Sequence, residues 1–561
     1  MMPATIAASG DGLRPFHPAY IEERASFDQN FIGPMPREFT RPMAGDLTAS
    51  GSSQVNDEAE KQTQTSAIVK YCEERIDLFH DDNRDVFARL KETGECWRLG
   101  SRAFRDWITA GFYRATGKAP RDQSIKEALG TMEGLGRHAG KAQQVFVRVG
   151  RTETHYYIDL CEPGNTRCIE INRDGWRVLK RAGVHFVRFE SMQPLPEPAR
   201  SGDLSLLWNL VNVPGDVRLL VTAWLIECLR PETPFPVLEL IGEQGSAKSS
   251  TQTTIRRVFD PNACDLRAAA KTPEDAFVAG GANWIVSYEN ISHLSAPMQD
   301  ALCVLATGGG FAKRKLYSDA DEVVIRVKRP VILNGISAAI TAQDLIDRTI
   351  SIETPVIRDR REMTTLSKSF DRDHAAILGG LLDIMARALA HLDDIRIPED
   401  DRPRLIEFAR LGMAIAKATG REGKEFLVEF QRRRDEAISR TIDASPVATA
   451  VLAYMEKFPS GIRDTAEGIM RAMEHLRPLG VGDAWPRTPK GFADLLRRAA
   501  PALRQLGIEV HSLPKKGGVI HWVIEKKSPK PCPASPARPT DQDIKTFRTS
   551  DQQVYAGVED F

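Results

Sequence analysis

The sequence predicts an α/β nucleotide-binding core, with an N-terminal α+β unit on one side and a helical region and winged helix on the other. Three observations predict it. A short apolar run, PVLELI at 236–241, is followed by GEQGSAKS and a helix-like stretch through Phe259, the strand–loop–helix order of a phosphate loop. Strand-like and helix-like segments alternate from about Leu204 to Ile357, as in a parallel sheet with crossover helices. Near the C-terminus, helical periodicity gives way to two strand-like runs joined through Lys515-Lys516-Gly517-Gly518, which reads as a wing.

At 561 residues the chain exceeds one ordinary core and fits three or four domains, at roughly 100–200 residues each. Lysine plus arginine and aspartate plus glutamate each number 76, so the formal net charge is zero. That excludes a polycation and an acidic solvating protein, and leaves room for a local basic patch. No uninterrupted apolar run approaches the ~20 residues needed to span a bilayer, and MMPATIAASGDG is too polar for a signal peptide. Eight cysteines are scattered without a CxxC pair, so neither a disulfide framework nor a zinc knuckle is expected, and a reducing cytoplasm is the expected location. The eleven histidines include no HExxH, which leaves Mg²⁺ as the one metal expected.

In chain order, residues 1–65 are rich in Pro, Gly, Ser, Thr and charge and read as a disordered arm. An N-terminal α+β domain is expected at 66–200. Ile68, Cys72, Ile76 and Phe79 fall at helical spacing, as do Phe104, Trp107, Ile108 and Phe112. Strands are expected at 145–149, 156–160, 168–171 and 185–189, and the proline-rich MQPLPEP at 192–198 reads as a linker. The nucleotide-binding core takes 201–360. Ile377, Leu378, Leu381, Leu382 and Met385 mark a helical region at 361–444. The winged helix takes 445–526, with strands at 507–513 and 518–525, and the proline-rich tail 527–561 is expected to be disordered.

The chemistry centres on Gly242, Glu243, Gln244, Gly245, Ser246, Ala247, Lys248, Ser249 and Ser250. In a phosphate loop the backbone N–H groups point inward at a helix N-terminus, where they hold the phosphates of ATP. Lys248 would reach the β and γ phosphates and Ser249 would ligate Mg²⁺. Ala247 replaces the second glycine of the pattern, at a cost of roughly 1 kcal/mol if that position needs a positive φ. The strand 284–288 presents Glu289 at its C-terminal end, as a second Mg²⁺ ligand or as a plain surface glutamate. Asn290 stands where many ATPases have a second carboxylate. Asn334, ending the strand 330–334, would orient water against the γ phosphate, or else begins a turn with Gly335. Arg348 in DLIDR would neutralise transition-state charge in a neighbouring subunit, or pairs locally with Asp347.

Together, GEQGSAKSS, WIVSYEN, PVILNG and DLIDR resemble AAA+ ATPases of the superfamily 3 helicase type, most of all the primase-associated or stand-alone helicases of phages and integrated mobile elements. YIDL (157–160), DGW (174–176) and LATGGGFAKRKLYSDADE (305–322) strengthen a resemblance that covers roughly 145–525. It implies ATP hydrolysis with Mg²⁺ in a homo-oligomeric ring, a hexamer, with single-stranded DNA in its channel. Glu289 departs from the usual Asp and Asn290 from a common acid, which implies slow or partner-stimulated hydrolysis. The resemblance also implies a channel hairpin before the third strand, here from Leu316-Tyr317 and 323–327 around Ser318–Asp321. Lys313, Arg314 and Lys315 before it would contact DNA, unless they form a solvated charge run. In the C-terminal unit, Arg497, Arg498 and Arg504 on a candidate recognition helix, with Lys515 and Lys516 at the wing tip, suit duplex phosphates; a role in packing alone is the alternative. The expected function is an ATP-dependent, ring-forming DNA helicase or translocase in replication of a phage or mobile element. The alternatives are a nucleotide-gated DNA-binding regulator and a defence or packaging ATPase on the same core.

Overall fold

The computed structural model describes residues 64–314, 322–443, 445–478 and 485–526. The expected C-terminal tail, nearly all of the expected arm and the hairpin turn with Lys315 lie outside them.

The N-terminal unit begins with helix α1 (64–73). Strands β1 (Ile76–His80), β2 (Val86–Leu90) and β3 (Cys96–Arg98) follow, then α2 (Arg102–Thr116), α3 (Asp122–His138) and β4 (Lys141–Ala142). The sheet order is β3-β2-β1-β4. Ile76 and Phe79 therefore lie on β1, not on the face of α1. Their spacing fits a helix, but the chain turns at 74–75 and Ile76 pairs across to Leu90. The second apolar set is helical as expected. Ser101 caps α2 by accepting from Phe104 N, Phe104, Ile108 and Phe112 are buried, and Gly117 ends the helix at φ 69.

A β-rich portion comes next: β5 (Val145–Phe146), β6 (Val149–Arg151), β7 (Tyr156–Asp159), β8 (Cys168–Asn172), β9 (Gly175–Leu179) and β10 (His185–Phe186). Strands β6 to β9 form an antiparallel meander, and β5 pairs with β10. The proline-rich segment is not a loose linker. Met192 and Leu195 are buried, and the N–H groups its prolines leave are used: Leu195 N donates to Leu160 O and Gln193 N to Pro261 O. Gly379 and Gly380 admit the chain just beyond it, since Cβ atoms there would lie 2.0 Å from Ala199 O and 2.3 Å from Leu204 N.

The central unit runs α4 (Arg218–Glu227), β11 (Val237–Ile241), α5 (Lys248–Arg257), α6 (Pro273–Ala282), β12 (Val286–Tyr288), α7 (Ala296–Thr307), β13 (Gly309–Arg314), β14 (Glu322–Val327), β15 (Val331–Gly335), α8 (Gln343–Ile346) and β16 (Thr349–Glu353). Its sheet is parallel, in the order β12-β15-β11-β16. Leu238, Leu240, Ile332, Leu333, Ile350 and Ile352 are buried, the near-continuous apolar character of strands covered on both faces. Glu239 is the exception; Ala339 N, Ile340 N and Ser351 Oγ donate to its carboxylate, while burial pushes the carboxyl pKa up. The hairpin's first strand among the described residues is Gly309–Arg314, which takes in Lys313 and Arg314; the expected Leu316-Tyr317 lie outside the described residues.

Helices α9 (Met363–Leu392), α10 (Ile406–Ala418) and α11 (Gly423–Asp443) form the helical region. Among the described residues α9 alone is long and apolar enough to cross a membrane, with a mean hydropathy of 1.5 over its best window. Its Ile377, Leu378, Leu381, Leu382 and Met385 are buried inside the protein. The last unit comprises α12 (Pro446–Lys457), β17 (Ile462–Thr465), α13 (Ala466–Met473), α14 (Pro489–Gln505), β18 (Ile508–Ser512) and β19 (His521–Lys526), with sheet order β17-β19-β18. Strand β17 is an addition to the expected pair. Val447, Phe492 and Trp522 share one apolar cluster with Val237 and Leu333, so this unit packs directly on the central one.

Candidate functional site

Residues 242–247 form the turn between β11 and α5, at the C-terminal edge of the parallel sheet where such sheets bind ligands. Gly245 has φ 86, and Ala247, which opens α5, lies in the left-handed region at φ 52, ψ 32. An L-residue pays roughly 1–2 kcal/mol for that conformation. Helix α5 thus begins with its free N–H groups at the loop. Lys248 folds back into this turn. Its Nζ donates to Gly242 O at 2.6 Å, Glu243 O at 2.7 Å and Ser246 Oγ at 3.2 Å, and burial pushes its pKa below the usual lysine value.

The loop is fastened from two sides. Thr354 N donates to Ile241 O, Thr354 Oγ1 lies 3.0 Å from Ser246 Oγ, and Ile357 N donates to Gly245 O. Asn212 Nδ2 donates to both Ser246 O and Pro355 O. Between these fastenings lies a cavity of about 460 Å³, bounded by Asn209–Asn212, the loop, and Ile357, Arg360, Met363 and Leu366. Sequence reasoning missed these walls. They come from segments separated by about 150 residues, and only folding brings them to the loop.

Glu289 follows β12 and is half-buried, and Asn290 is exposed with φ 55. Among the described residues, neither the Ser249 hydroxyl nor the Glu289 carboxylate has a hydrogen-bond or ionic partner. Asn334 is fully buried and committed to the scaffold: its Oδ1 accepts from Asn290 N at 3.0 Å and its Nδ2 donates to Gln252 Oε1 at 2.6 Å. Gln252 Nε2 in turn donates to Ser287 Oγ and Tyr288 O. The strand-end asparagine thus joins α5, β12 and β15, and one amide hydrogen of Nδ2 remains for another acceptor.

Arg348 is elsewhere. It precedes β16, whose Thr349 lies beside Val237, whereas the loop follows Ile241 beside Glu353. It occupies the opposite end of the sheet, roughly 13 Å of strand away. Its local partner is Asp344, at 2.6 Å, and not Asp347. That hydrogen bond holds the Asp344 carboxyl below the usual range, and Arg404 also pairs with Asp344.

Of the basic residues expected on DNA, Lys313 and Arg314 stand opposite Val323 and Glu322 in the hairpin. On α14, Arg497 pairs with Asp494 at 2.8 Å and lies 5.3 Å from the Trp522 ring, and Arg504 pairs with Glu509. Arg498 is exposed and makes no hydrogen bond or ion pair among the described residues. Lys515 and Lys516 are exposed in the β18–β19 connection, where Gly517 and Gly518 take φ 59 and 85.

Residues 204–427 match the family model of the actinomycete integrative conjugative element replication protein, and residues 447–537 match that of the RepA C-terminal domain of the same elements. No curated protein matches. Among solved structures, the A-form apo structure of the NrS-1 C-terminal region is 12% identical, covering 82% of this chain and 99% of that one, with a TM-score of 0.34. The crystal structure of JCV helicase bound to a thiazolopyridinyl-phenoxyphenyl acetamide is 10% identical, covering 40% of this chain and 66% of that one, with a TM-score of 0.23. The family matches support a replication role, and residues 64–203 lie outside both of them.

Proposed function

We propose that the chain is an ATP hydrolase of the AAA+ kind that drives DNA unwinding or translocation during replication of an integrated mobile element. The observation that carries this is the turn after β11. A left-handed Ala247 opens a helix there, and a lysine ammonium is held among loop oxygens. Those contacts are weak substitutes for phosphate, and Lys248 can exchange carbonyl oxygens for β and γ phosphate oxygens with little movement. The cavity beside the loop offers Leu210, Val211, Ile357 and Met363 to a base, and Asn209 and Asn212 to polar edges.

Mg²⁺ fits the donor set, since an unpartnered hydroxyl and an unpartnered carboxylate are the hard oxygen ligands it takes. Ser249 and Glu289 would hold it, and it would supply charge neutralisation on the phosphates. Asn334 would use its remaining amide hydrogen to orient the attacking water. Arg348 is too far from the loop of its own chain, so we assign it to the site of a neighbour in a ring. The order of helices and strands in 446–526 supports reading it as a winged helix, in which exposed Arg498, Lys515 and Lys516 would face duplex phosphates, and Lys313 and Arg314 would belong to a channel hairpin.

One observation favours a second reading, a nucleotide-gated DNA-binding regulator. At Asn290 an amide replaces a second carboxylate, which removes a group able to polarise water. Turnover of ATP with and without single-stranded DNA, together with strand displacement on a forked duplex, separates the two. Stimulated turnover with displacement is the expected result; tight ATP binding without turnover under any DNA condition would establish the regulator.

A further inference from the structure

The N-terminal unit carries a groove unrelated to the nucleotide site. Trp107, Ala110, Gly111, Arg114 and Ala115 fall at helical spacing on the outer face of α2, and Tyr71 and Arg75 at the end of α1 complete a groove of about 380 Å³. Its construction depends on Gly111. A Cβ there would lie 2.2 Å from Tyr71 Oη, so a larger residue would push the end of the tyrosine aside. Tyr71 and Trp107 then stand with ring centroids 5.8 Å apart at 44°, and Arg75 sits 4.1 Å from the Tyr71 ring centre. Trp107 is braced from behind by Phe104, stacked at 5.6 Å and 12°.

The floor is small residues, the walls are aromatic, and the rim is cationic. Arg114 is exposed and makes no hydrogen bond or ion pair among the described residues. Besides the Tyr71 ring, the Arg75 side chain pairs with exposed Glu74 and donates to Tyr71 O, and an exposed ion pair of this kind is worth little against a phosphate. From Trp107 to Arg114 is about 10 Å along the axis, room for a stacked base and its adjoining phosphates. Tyr71 and Trp107 pack against the apolar cluster of this unit with one side and line the groove with the other, beside the exposed Arg114.

We propose that this groove binds single-stranded nucleic acid, with bases against Tyr71 and Trp107 and phosphates on Arg75 and Arg114. Aromatic faces accept any base, so the site holds strand without reading sequence. It would keep a strand on the protein independently of nucleotide.

The test uses the full chain carrying Lys248→Ala, without nucleotide, and a fluorescent twenty-nucleotide oligothymidine. Arg75→Gln with Arg114→Gln should lower affinity and flatten the dependence of log affinity on log salt by about 1.4, since each single-strand phosphate contact contributes about 0.7. Trp107→Ala should weaken binding about 5-fold to 150-fold, the range that loss of one stacked base gives. Ultraviolet crosslinking of the otherwise unsubstituted protein to the same oligonucleotide, mapped by mass spectrometry, should mark Tyr71 or Trp107. An unchanged salt slope in the double variant overturns the proposal, and so does a crosslink pattern confined to other units. Because the Lys248→Ala background removes the nucleotide site, failure here leaves the ATPase reading standing.

Discussion

The two ends of helix α5 are opposites. At its start, Ala247 is strained at φ 52, Lys248 is held only by loop oxygens, and Ser249 and the nearby Glu289 have no partners among the described residues. At its end the buried charge is fully engaged. Arg256 is fully buried and donates to Asp260 O, Cys264 O, Asp265 O and Asn283 Oδ1. Just beyond, Asp260 accepts from Ile285 N and from Arg148, and Arg148 also donates to Asp159 O, Gln193 O and Pro261 O. Arg148 is itself left-handed, at φ 61, yet here the strain is held in place by saturated contacts. One helix thus has an end with unpartnered groups, where we place the nucleotide, and an end that bolts the β-rich portion to the central sheet. Strain occurs at both, so strain alone does not distinguish them.

Substitutions at each end should therefore fail in different ways. The largest effect is expected from Lys248→Ala, which removes the charge facing the phosphates and leaves the closed end untouched. ATP binding should be lost in a fluorescent-nucleotide titration while the thermal midpoint stays within a few degrees. Retained affinity would dismiss the open end as a nucleotide site.

Arg348→Ala comes next, because on the proposed reading Arg348 acts on the open end from another subunit. It should keep ATP binding and lose turnover by about 10³–10⁵, the scale of arginine assistance in phosphoryl transfer. Mixing it with Lys248→Ala protein should restore some activity, since an intact loop can then face an intact arginine. Absence of rescue in demonstrated mixed oligomers removes the trans assignment.

Arg148→Met probes the closed end. It leaves Asp260 buried with one partner fewer, and breaking a buried pair costs about 3–5 kcal/mol. Chemical denaturation should show that loss, while nucleotide affinity under folding conditions changes little. A large fall in affinity without a fall in stability would mean that the two ends are not separable.

The open end was largely legible in the sequence and the closed end was not. PVLELI announces a buried strand, and GEQGSAKS a turn into a helix, because both signals are contiguous. Lys248 and Ser249 follow from that local order, and Glu289 from the end of a second contiguous run, WIVSYEN. Arg148 gives no signal, since its four acceptors lie 11 to 113 residues away and form only when the sheets close. The cavity walls at 209–212 and 357–366 were hidden for the same reason. Asn334 stands at the strand end the sequence predicts, and its bonds to Gln252 and Asn290 depend on three elements meeting. Local competition explains other misses: Ile76 and Phe79 kept helical spacing across a turn, Gly309-Gly310 masked the start of a strand, and short, polar IRDT carries no strand pattern.

A smaller effect is expected from Lys515→Ala with Lys516→Ala, far from both ends of α5. If the connection between β18 and β19 meets duplex phosphates, the slope of log affinity on log salt should flatten by about 1.8, at roughly 0.9 per contact. ATP turnover without DNA should not change. An unaltered slope would leave the C-terminal unit a packing module.

The smallest effect belongs to Ala247→Gly, which tests whether strain at the open end serves the ligand. Glycine adopts φ 52 freely, so the substitution removes about 1–2 kcal/mol of left-handed cost from the folded loop. It also gives the unfolded chain more freedom, which offsets about 0.4–1 kcal/mol. The net expectation is a gain of about 1 kcal/mol or less, read as a small rise in the denaturation midpoint. Nucleotide affinity should move less than threefold, because the alanine loop already has the left-handed geometry that phosphate needs. Ala247→Val is the counterpart: a β-branched side chain at positive φ should lower both stability and affinity. If glycine instead raised affinity tenfold or more, the loop would have to rearrange on binding, and the open end would not be preformed as its hydrogen bonds to Thr354, Ile357 and Asn212 require.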